Sequence, residues 1–206
     1  PLLKRVGWGV MTFLAMTVVA YALLLLVVPA ARPPFLRERF AALPLATFAH
    51  LLAGAVALGV GPFQLSSGFR SRFLTAHRWM GRGYVAAVLA GGAGGLAMAT
   101  VSMGGLPAHL GFGLLATLWL ATVAVAYRRI RSGDVAGHRQ WMIRNYALTL
   151  AAVTLRLYIP LSLAAGIPFE EGYPMIAWIS WVPNLLVAEW LVRRRPGAKV
   201  PSPLPA

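Results

Sequence analysis

Residues 138–164 read HRQWMIRNYALTLAAVTLRLYIPLSLA. The segment begins with basic and aromatic side chains and then continues as a mainly apolar run that contains Arg156. A transmembrane helix needs roughly 20 mainly apolar residues to cross about 30 Å of hydrocarbon. We therefore predict a membrane-spanning helix over residues 140–164.

Five other stretches of the 206-residue chain have the same character, and together they predict six transmembrane helices. Hydrophobic residues make up 59% of the chain and charged residues 12%, whereas soluble domains contain about 45–50% and about 25%. The composition thus predicts one all-α, polytopic membrane domain over residues 1–195. The predicted spans are residues 7–29, 45–66, 79–103, 108–127, 140–164 and 174–192.

The two ends of the chain need separate interpretation. The first span follows Lys4 and Arg5, as a signal peptide would, but its apolar run exceeds the roughly 7–15 residues of a signal-peptide core. We therefore interpret it as a span. Residues 196–206 are rich in proline and have no apolar period, which predicts a disordered cytoplasmic tail.

The basic residues are distributed unevenly between the two sides of the predicted bundle. One side carries fifteen and the other three, Arg32, Arg37 and Arg39. Because loops rich in lysine and arginine face the cytoplasm, both termini are predicted to be cytoplasmic, in a bacterial inner membrane. The net charge of +14 therefore reflects membrane topology, and we expect a lipid bilayer rather than nucleic acid as the partner. The fifteen are Lys4, Arg5, Arg70, Arg72, Arg78, Arg82, Arg128, Arg129, Arg131, Arg139, Arg144, Arg193, Arg194, Arg195 and Lys199.

The chain contains an internal repeat. Residues 77–84 read HRWMGRGY and residues 138–146 read HRQWMIRNY, so six residue types recur in order if Gln140 is an insertion. Upstream, the AHL of residues 49–51 recurs at residues 108–110. Spans two and three therefore resemble spans four and five. This predicts a four-helix core of spans two to five, with a pseudo-two-fold axis along the membrane normal.

All four histidines fall at equivalent positions of this repeat. The axis would place His50 opposite His109 near the outer face, and His77 opposite His138 near the inner face. Paired imidazoles from facing helices can ligate haem b inside a bundle. We therefore predict one or two haems b with these histidines as iron ligands, moving electrons across the bilayer.

Three arginines are predicted to bind the haem propionates. Arg82 and Arg144 lie about one turn inside the inner histidines, and Arg156 lies in the outer third of span five. Fork-shaped guanidinium groups suit carboxylates.

An interfacial interpretation of the same motifs stays open. Histidine and arginine at helix ends often contact lipid phosphates or water. The inserted glutamine would rotate the rest of the motif by about 100° if the helix has already begun at His138. Glu189 and Arg193 are expected to form a helical i,i+4 pair. The motif aromatics are expected to form an interfacial belt: Trp79, Trp141, Tyr84 and Tyr146.

Three stretches, HRWMGRGY, HRQWMIRNYALTLAAVTLRLYIP and WVPNLLVAEW, resemble a bacterial family of predicted membrane proteins, the domain-of-unknown-function 2306 type. The resemblance covers roughly residues 45–192 and implies the membrane fold and little chemistry. Within it, His50, His77 and His138 lie in the recognisable motifs, and the segment around His109 is less typical.

The layout of the histidines resembles a second family, the six-helix transmembrane dihaem cytochrome b reductases. That resemblance implies that His50 and His109 hold an outer haem, and that His77 and His138 hold an inner one. The other signature stretches of that family are missing, so the electron donor and acceptor do not transfer. A quinone or a small reductant is a candidate.

Two other classes of function stay open. A small transporter would suit the parallel repeat, and its Arg156 could meet an anion, but no pair of spans shows the interruptions typical of midplane substrate sites. An accessory subunit of a larger membrane complex would need no cofactor. No nucleophile–base pair is recognisable, so we assign no catalytic residue. A homodimer is compatible with the sequence.

Overall fold

The computed structural model describes residues 2–194, except for the side chains of Leu3 and Lys4. Over this range it contains ten α-helices, which confirms the all-α polytopic prediction. The predicted tail of residues 196–206 lies outside the described range. The helices are α1 (Leu2–Val27), α2 (Pro34–Ala42), α3 (Pro44–Leu65), α4 (Ser67–Arg72), α5 (Leu74–Ala99), α6 (Gly105–Arg131), α7 (Val135–Thr149), α8 (Ala151–Ala164), α9 (Phe169–Ile179) and α10 (Val182–Arg193).

Six helical stretches correspond to the six predicted spans: α1, α3, α5, α6, α7 with α8, and α9 with α10. Five of them are long and apolar enough to cross a membrane. The exception is α5, whose 26 residues give it the length but whose six glycines and two arginines lower its hydropathy. It packs between α3 and α6, where small residues permit close helix approach.

Several helices extend beyond the predicted apolar runs at the end of the bundle where α5 and α7 begin. α5 begins at Leu74, five residues before the predicted span, and α7 begins at Val135, after Asp134 caps it by accepting a hydrogen bond from the Gly137 amide at 2.8 Å. The backbone hydrogen bonds of a helix do not depend on the hydropathy of its side chains. The basic residues that flank the apolar runs therefore belong to the same helices.

The predicted four-helix core is present. Helix α3 packs on α5, α5 on α6, α6 on α7, and α7 on α3. The four therefore form a ring in which α3 and α6 stand on one diagonal, and α5 and α7 on the other. Helix α1 packs on α3 and α8, while α9 packs on α6 and α8 and α10 packs on α7.

The last two spans are irregular, so the expectation of uninterrupted spans is wrong. Leu150 separates α7 from α8, and Ser180 and Trp181 separate α9 from α10. Thr154 donates a hydrogen bond to the carbonyl of Ser180, and Asn184 Nδ2 donates to the same oxygen at 3.0 Å. Side chains thus satisfy a backbone group that the irregular segment would otherwise leave unpaired in hydrocarbon.

Glycines of α5 allow α3 to approach closely. A Cβ added at Gly94 would lie 2.5 Å from the carbonyl oxygen of Ala46, and one at Gly95 would lie 3.0 Å from Nδ1 of His50. Ordinary side chains would separate the two helices. The glycines therefore determine how deeply the His50 ring sits against α5.

Tyr84 and Tyr146 lie inside the core, so the prediction of an interfacial belt is wrong for both. They are 0% and 2% exposed. The Tyr84 hydroxyl donates to Asn145 Oδ1 at 2.7 Å, and the Tyr146 hydroxyl donates to the carbonyl of Leu58 at 3.0 Å. Trp79, which is nearer its helix start, is 65% exposed. Tyr84 follows the first residue of its helix by ten positions, about 15 Å, which carries it past the interface.

Candidate functional site

The core has two chemically different ends. At one end, called here the basic end, α3, α6 and α10 finish and α5 and α7 begin. Arginine is abundant there, and His77 and His138 lie there. At the other end, called here the outer end, a cavity opens between the helices and contains His50 and Arg156.

Two histidines lie at the basic end, at equivalent positions of their helices. His77 and His138 are each the fourth residue of their helices, on the α5–α7 diagonal. Partial burial lowers the pKa of the His77 imidazole, and the charges of Arg70 and His138 lower it further. Nδ1 of His138 lies 2.9 Å from the carbonyl oxygen of Ala126, which leaves its Nε2 available. Nδ1 of His77 is enclosed and has no hydrogen-bond partner within residues 2–194.

The inserted glutamine falls inside a helix that has already begun, since α7 begins before His138. The two copies of the motif are therefore rotated differently relative to their histidines. Arg82 is exposed and lies 4.6 Å from the centroid of the Trp79 ring. Arg144 is paired with Glu189, with 2.8 Å between Arg144 Nη2 and Glu189 Oε2. Both guanidinium groups thus have protein partners in place of the predicted propionates.

His50 lines the outer cavity, whereas His109 does not. Nδ1 of His50 lies 2.8 Å from the carbonyl oxygen of Gly91, and its ring lines the outer cavity. Nε2 of His109 lies 2.8 Å from the carbonyl oxygen of Ser102, and His109 is not among the described residues that line the cavity. Backbone carbonyls at the end of a helix need hydrogen-bond donors from outside that helix. The His109 ring meets this need for the carbonyl of Ser102, just beyond α5.

The outer cavity has a volume of about 700 Å³. It lies between α1, α2, α3, α5, α6, α7, α8 and α9, and most of its lining is apolar. The sequence could not reveal it, because α1 and α2 lie outside the repeat and nothing in their hydropathy shows which face they present. Its polar and aromatic lining residues include Tyr21, Arg39, His50, Trp119, Thr149, Arg156 and Tyr173.

Arg156 lines the cavity and forms no ion pair with an acidic residue of the described chain. Its Nη1 donates to the carbonyl of Ala152 at 2.8 Å, and its guanidinium lies 5.6 Å from the centroid of the Tyr21 ring. Its Nε is enclosed and has no hydrogen-bond partner in the described part of the chain. Arg39, which lines the same cavity, is only 8% exposed.

A hydrogen-bonded layer separates the cavity from the basic end. Trp119 Nε1 donates to Thr149 Oγ1 at 2.8 Å, and the Tyr84 hydroxyl lies 3.0 Å from the same oxygen. Asn145 Nδ2 donates to the carbonyl of Trp119 and to Thr122 Oγ1, both at 2.8 Å. We call these five residues the central layer. In the sequence, the only indication of this layer was the presence of polar residues inside apolar runs.

Comparison with known proteins identifies the family of this chain. Residues 47–192 match the model of a family described as a predicted membrane protein (DUF2306). The chain belongs to this family. No curated protein and no solved structure matches it. The DUF2306 match covers α3 to α10 almost completely and includes all four histidines and Arg156, while the cavity residues Tyr21 and Arg39 precede it.

Proposed function

We propose that this chain is a membrane-embedded electron-transfer protein that binds haem b between His77 and His138. The main support is that these two histidines lie in the first turns of diagonally opposite core helices, at the same end of the bundle. The bond between His138 Nδ1 and a backbone carbonyl is the arrangement that commonly orients a metal-binding histidine. A haem with two axial histidines transfers single electrons and does not bind substrate at the iron.

The donor set of the basic end fits haem b. Two histidines are sufficient as axial ligands, so the absence of any group of three or more metal-binding side chains among residues 2–194 is not an obstacle. Arg70 and Arg78 are near His77, and their guanidinium groups suit propionates. They take the role that the sequence analysis gave to Arg82 and Arg144.

The outer cavity fits a second haem less well. Its volume and apolar lining suit a macrocycle, and Arg156 could meet a propionate. It offers the single imidazole of His50, however, because His109 is directed to the carbonyl of Ser102. We therefore favour about one haem per chain, at the basic end.

The proposed orientation places the haem near the cytoplasmic face of a bacterial inner membrane. Loops rich in arginine face the cytoplasm, and the basic end contains most of the arginines. The haem would then exchange electrons with a cytoplasmic or membrane-dissolved partner, for which a quinone or a small reductant is suitable.

A visible difference spectrum tests the haem. The purified protein, reduced with dithionite and compared with its oxidised form, should show a b-type α band, with about one haem per chain by pyridine haemochrome. His77→Ala and His138→Ala should lose the haem, and the control His109→Ala should retain it. Absence of haem after expression with adequate haem supply, or loss only in His50→Ala, would contradict the proposal.

The irregular spans favour a small transporter as a second candidate. Irregular backbone at membrane depth is tolerated where it is buried or lines a cavity, and Thr149 and Ala151 do line the cavity next to Leu150. Transporters usually place such interruptions in corresponding spans of their two repeats, whereas here they lie in neighbouring spans. A haem-free protein would favour this candidate or an accessory subunit.

A further inference from the structure

Arg156 is a cation inside the membrane domain, and no acidic side chain within residues 2–194 forms an ion pair with it. It precedes the end of α8 by eight residues, about 12 Å along the helix. The chain has five carboxylates, and in the described structure the ion pairs involve only Asp134 and Glu189. An ionisable side chain at such depth is costly and marks a functional site by default.

A second arginine converges on the same cavity. Arg39 of α2 is buried, and like Arg156 it forms no ion pair among residues 2–194. Arg39, Arg156 and Tyr173 all line this cavity. The acids nearest in sequence, Glu38 and Glu170, are exposed. Like charges in a medium of low dielectric constant repel, and an anionic ligand would relieve both.

The rest of the cavity suits a hydrocarbon chain. Its volume of about 700 Å³ is within the range of roughly 300–1,000 Å³ typical of ligand sites. Tyr21 of α1 and Leu157 of α8 line the cavity, yet they are 41% and 43% exposed. The cavity therefore extends towards the lipid-facing surface between α1 and α8.

We infer that the outer cavity binds a single-chain amphiphile with an acidic head group, taken up from the membrane. Arg156 and Arg39 hold the head group, a carboxylate or a phosphate monoester, and the chain lies along the apolar walls. This inference does not depend on haem at the basic end, because the central layer separates the two sites.

Binding of radiolabelled palmitate to the protein in non-ionic detergent tests the inference. Hexadecanol, which has the same chain and no charge, should bind at least about tenfold more weakly, since it cannot form charge-assisted hydrogen bonds with the two arginines. Arg156→Gln should abolish this preference and leave hexadecanol binding unchanged. Arg39→Gln, on a helix outside the core, should do the same if Arg156→Gln fails to fold. The control Arg82→Gln, exposed at the basic end, should have no effect.

Competition with lysophosphatidic acid distinguishes the two head groups. If the site prefers a phosphate, lysophosphatidic acid will displace palmitate at a lower concentration than unlabelled palmitate does. If the site prefers a carboxylate, a higher concentration will be needed. Equal binding of palmitate and hexadecanol to the wild type would overturn the inference, as would a preference that survives in both arginine variants. His77→Ala should keep the preference, so failure of the haem proposal leaves this test intact. If palmitate instead displaces haem from the wild type, the cavity is a haem site and the inference is wrong.

Discussion

The ring of Tyr146 in α7 lies directly against Gly61 in α3. A Cβ at Gly61 would overlap the ring atoms Cδ2 and Cε2, and the Tyr146 hydroxyl reaches the carbonyl of Leu58 on the same helix. The missing side chain of Gly61 is thus the space that Tyr146 occupies. This contact joins α3 to α7 and closes the four-helix ring.

Gly61→Ala should destabilise the protein. The ring of Tyr146 is fully enclosed and cannot move away, and overpacking of this kind costs about 1–3 kcal/mol. The measurement is the thermal unfolding midpoint in detergent. Gly54→Ala is the matched control in the same helix, because nothing lies within 4 Å of its added Cβ, and alanine favours the helix. Equal changes in the unfolding midpoint for the two variants would show that the contact between Gly61 and Tyr146 does not limit stability.

Tyr84→Phe should weaken the central layer. The variant removes the donor to Asn145 Oδ1 and keeps the shape of the ring, and hydrogen bonds between transmembrane helices contribute about 1 kcal/mol. Tyr127→Phe, at a position that is 46% exposed, is the control and should be neutral. A double-mutant cycle with Thr149→Val should give a coupling energy above zero. Additive effects would mean that the Tyr84–Thr149 contact contributes nothing.

Glu189→Gln should destabilise the basic end more than Asp134→Asn. Glu189 accepts hydrogen bonds from Arg144 and Arg193 at 2.8 and 2.7 Å, which confirms the predicted i,i+4 pair with Arg193. The Arg144 side chain is 16% exposed, and that of Arg129, the partner of Asp134, is 53% exposed. Water can therefore hydrate Arg129 but not Arg144 when the partner is removed.

Comparison of their unfolding midpoints checks this expectation. Asp134→Asn preserves an N-cap residue for α7, so it reports on the ion pair alone, and its cost should be below about 1 kcal/mol. A larger loss for Asp134→Asn than for Glu189→Gln would refute the argument from burial.

The proposed orientation can be tested by cysteine labelling, because the chain contains no cysteine. Ser71→Cys lies in α4 at the basic end, and Ala31→Cys lies between α1 and α2 at the outer end; both positions are exposed. A membrane-impermeant maleimide added to intact spheroplasts should label only Ala31→Cys, since arginine-rich loops face the cytoplasm. Labelling of Ser71→Cys alone would show that the protein has the opposite orientation in the membrane.

The sequence predicted the spans and the order of the core helices. Hydropathy located all six helical stretches, and the echo of residues 77–84 in residues 138–146 indicated that spans two to five form a unit. It failed where helix rotation matters. Tyr84 and Tyr146 were expected at the interface, but both lie inside the core. The type of a side chain alone does not determine how its helix is rotated about its own axis.

The candidate site was predictable only in part. The repeat placed His77 and His138 at equivalent positions, and both lie in the first turns of helices on one diagonal. The contrast between Arg144, which Glu189 neutralises, and Arg156, which has no acidic partner in the described structure, was not visible in the sequence. Both are arginines in span five, and only the positions of distant residues separate them.

The sequence by itself determined that this protein lies in a membrane and which stretches form its long apolar helices, because transfer of each apolar run from water to hydrocarbon depends on that run alone. The tertiary structure decided which polar groups meet. Arg39 and Arg156 lie far apart in the chain and share one cavity, while His50 and His109 occupy equivalent repeat positions and His50 lines that cavity, whereas His109 does not. Such meetings depend on the packing and rotation of several helices at once, which no single segment specifies.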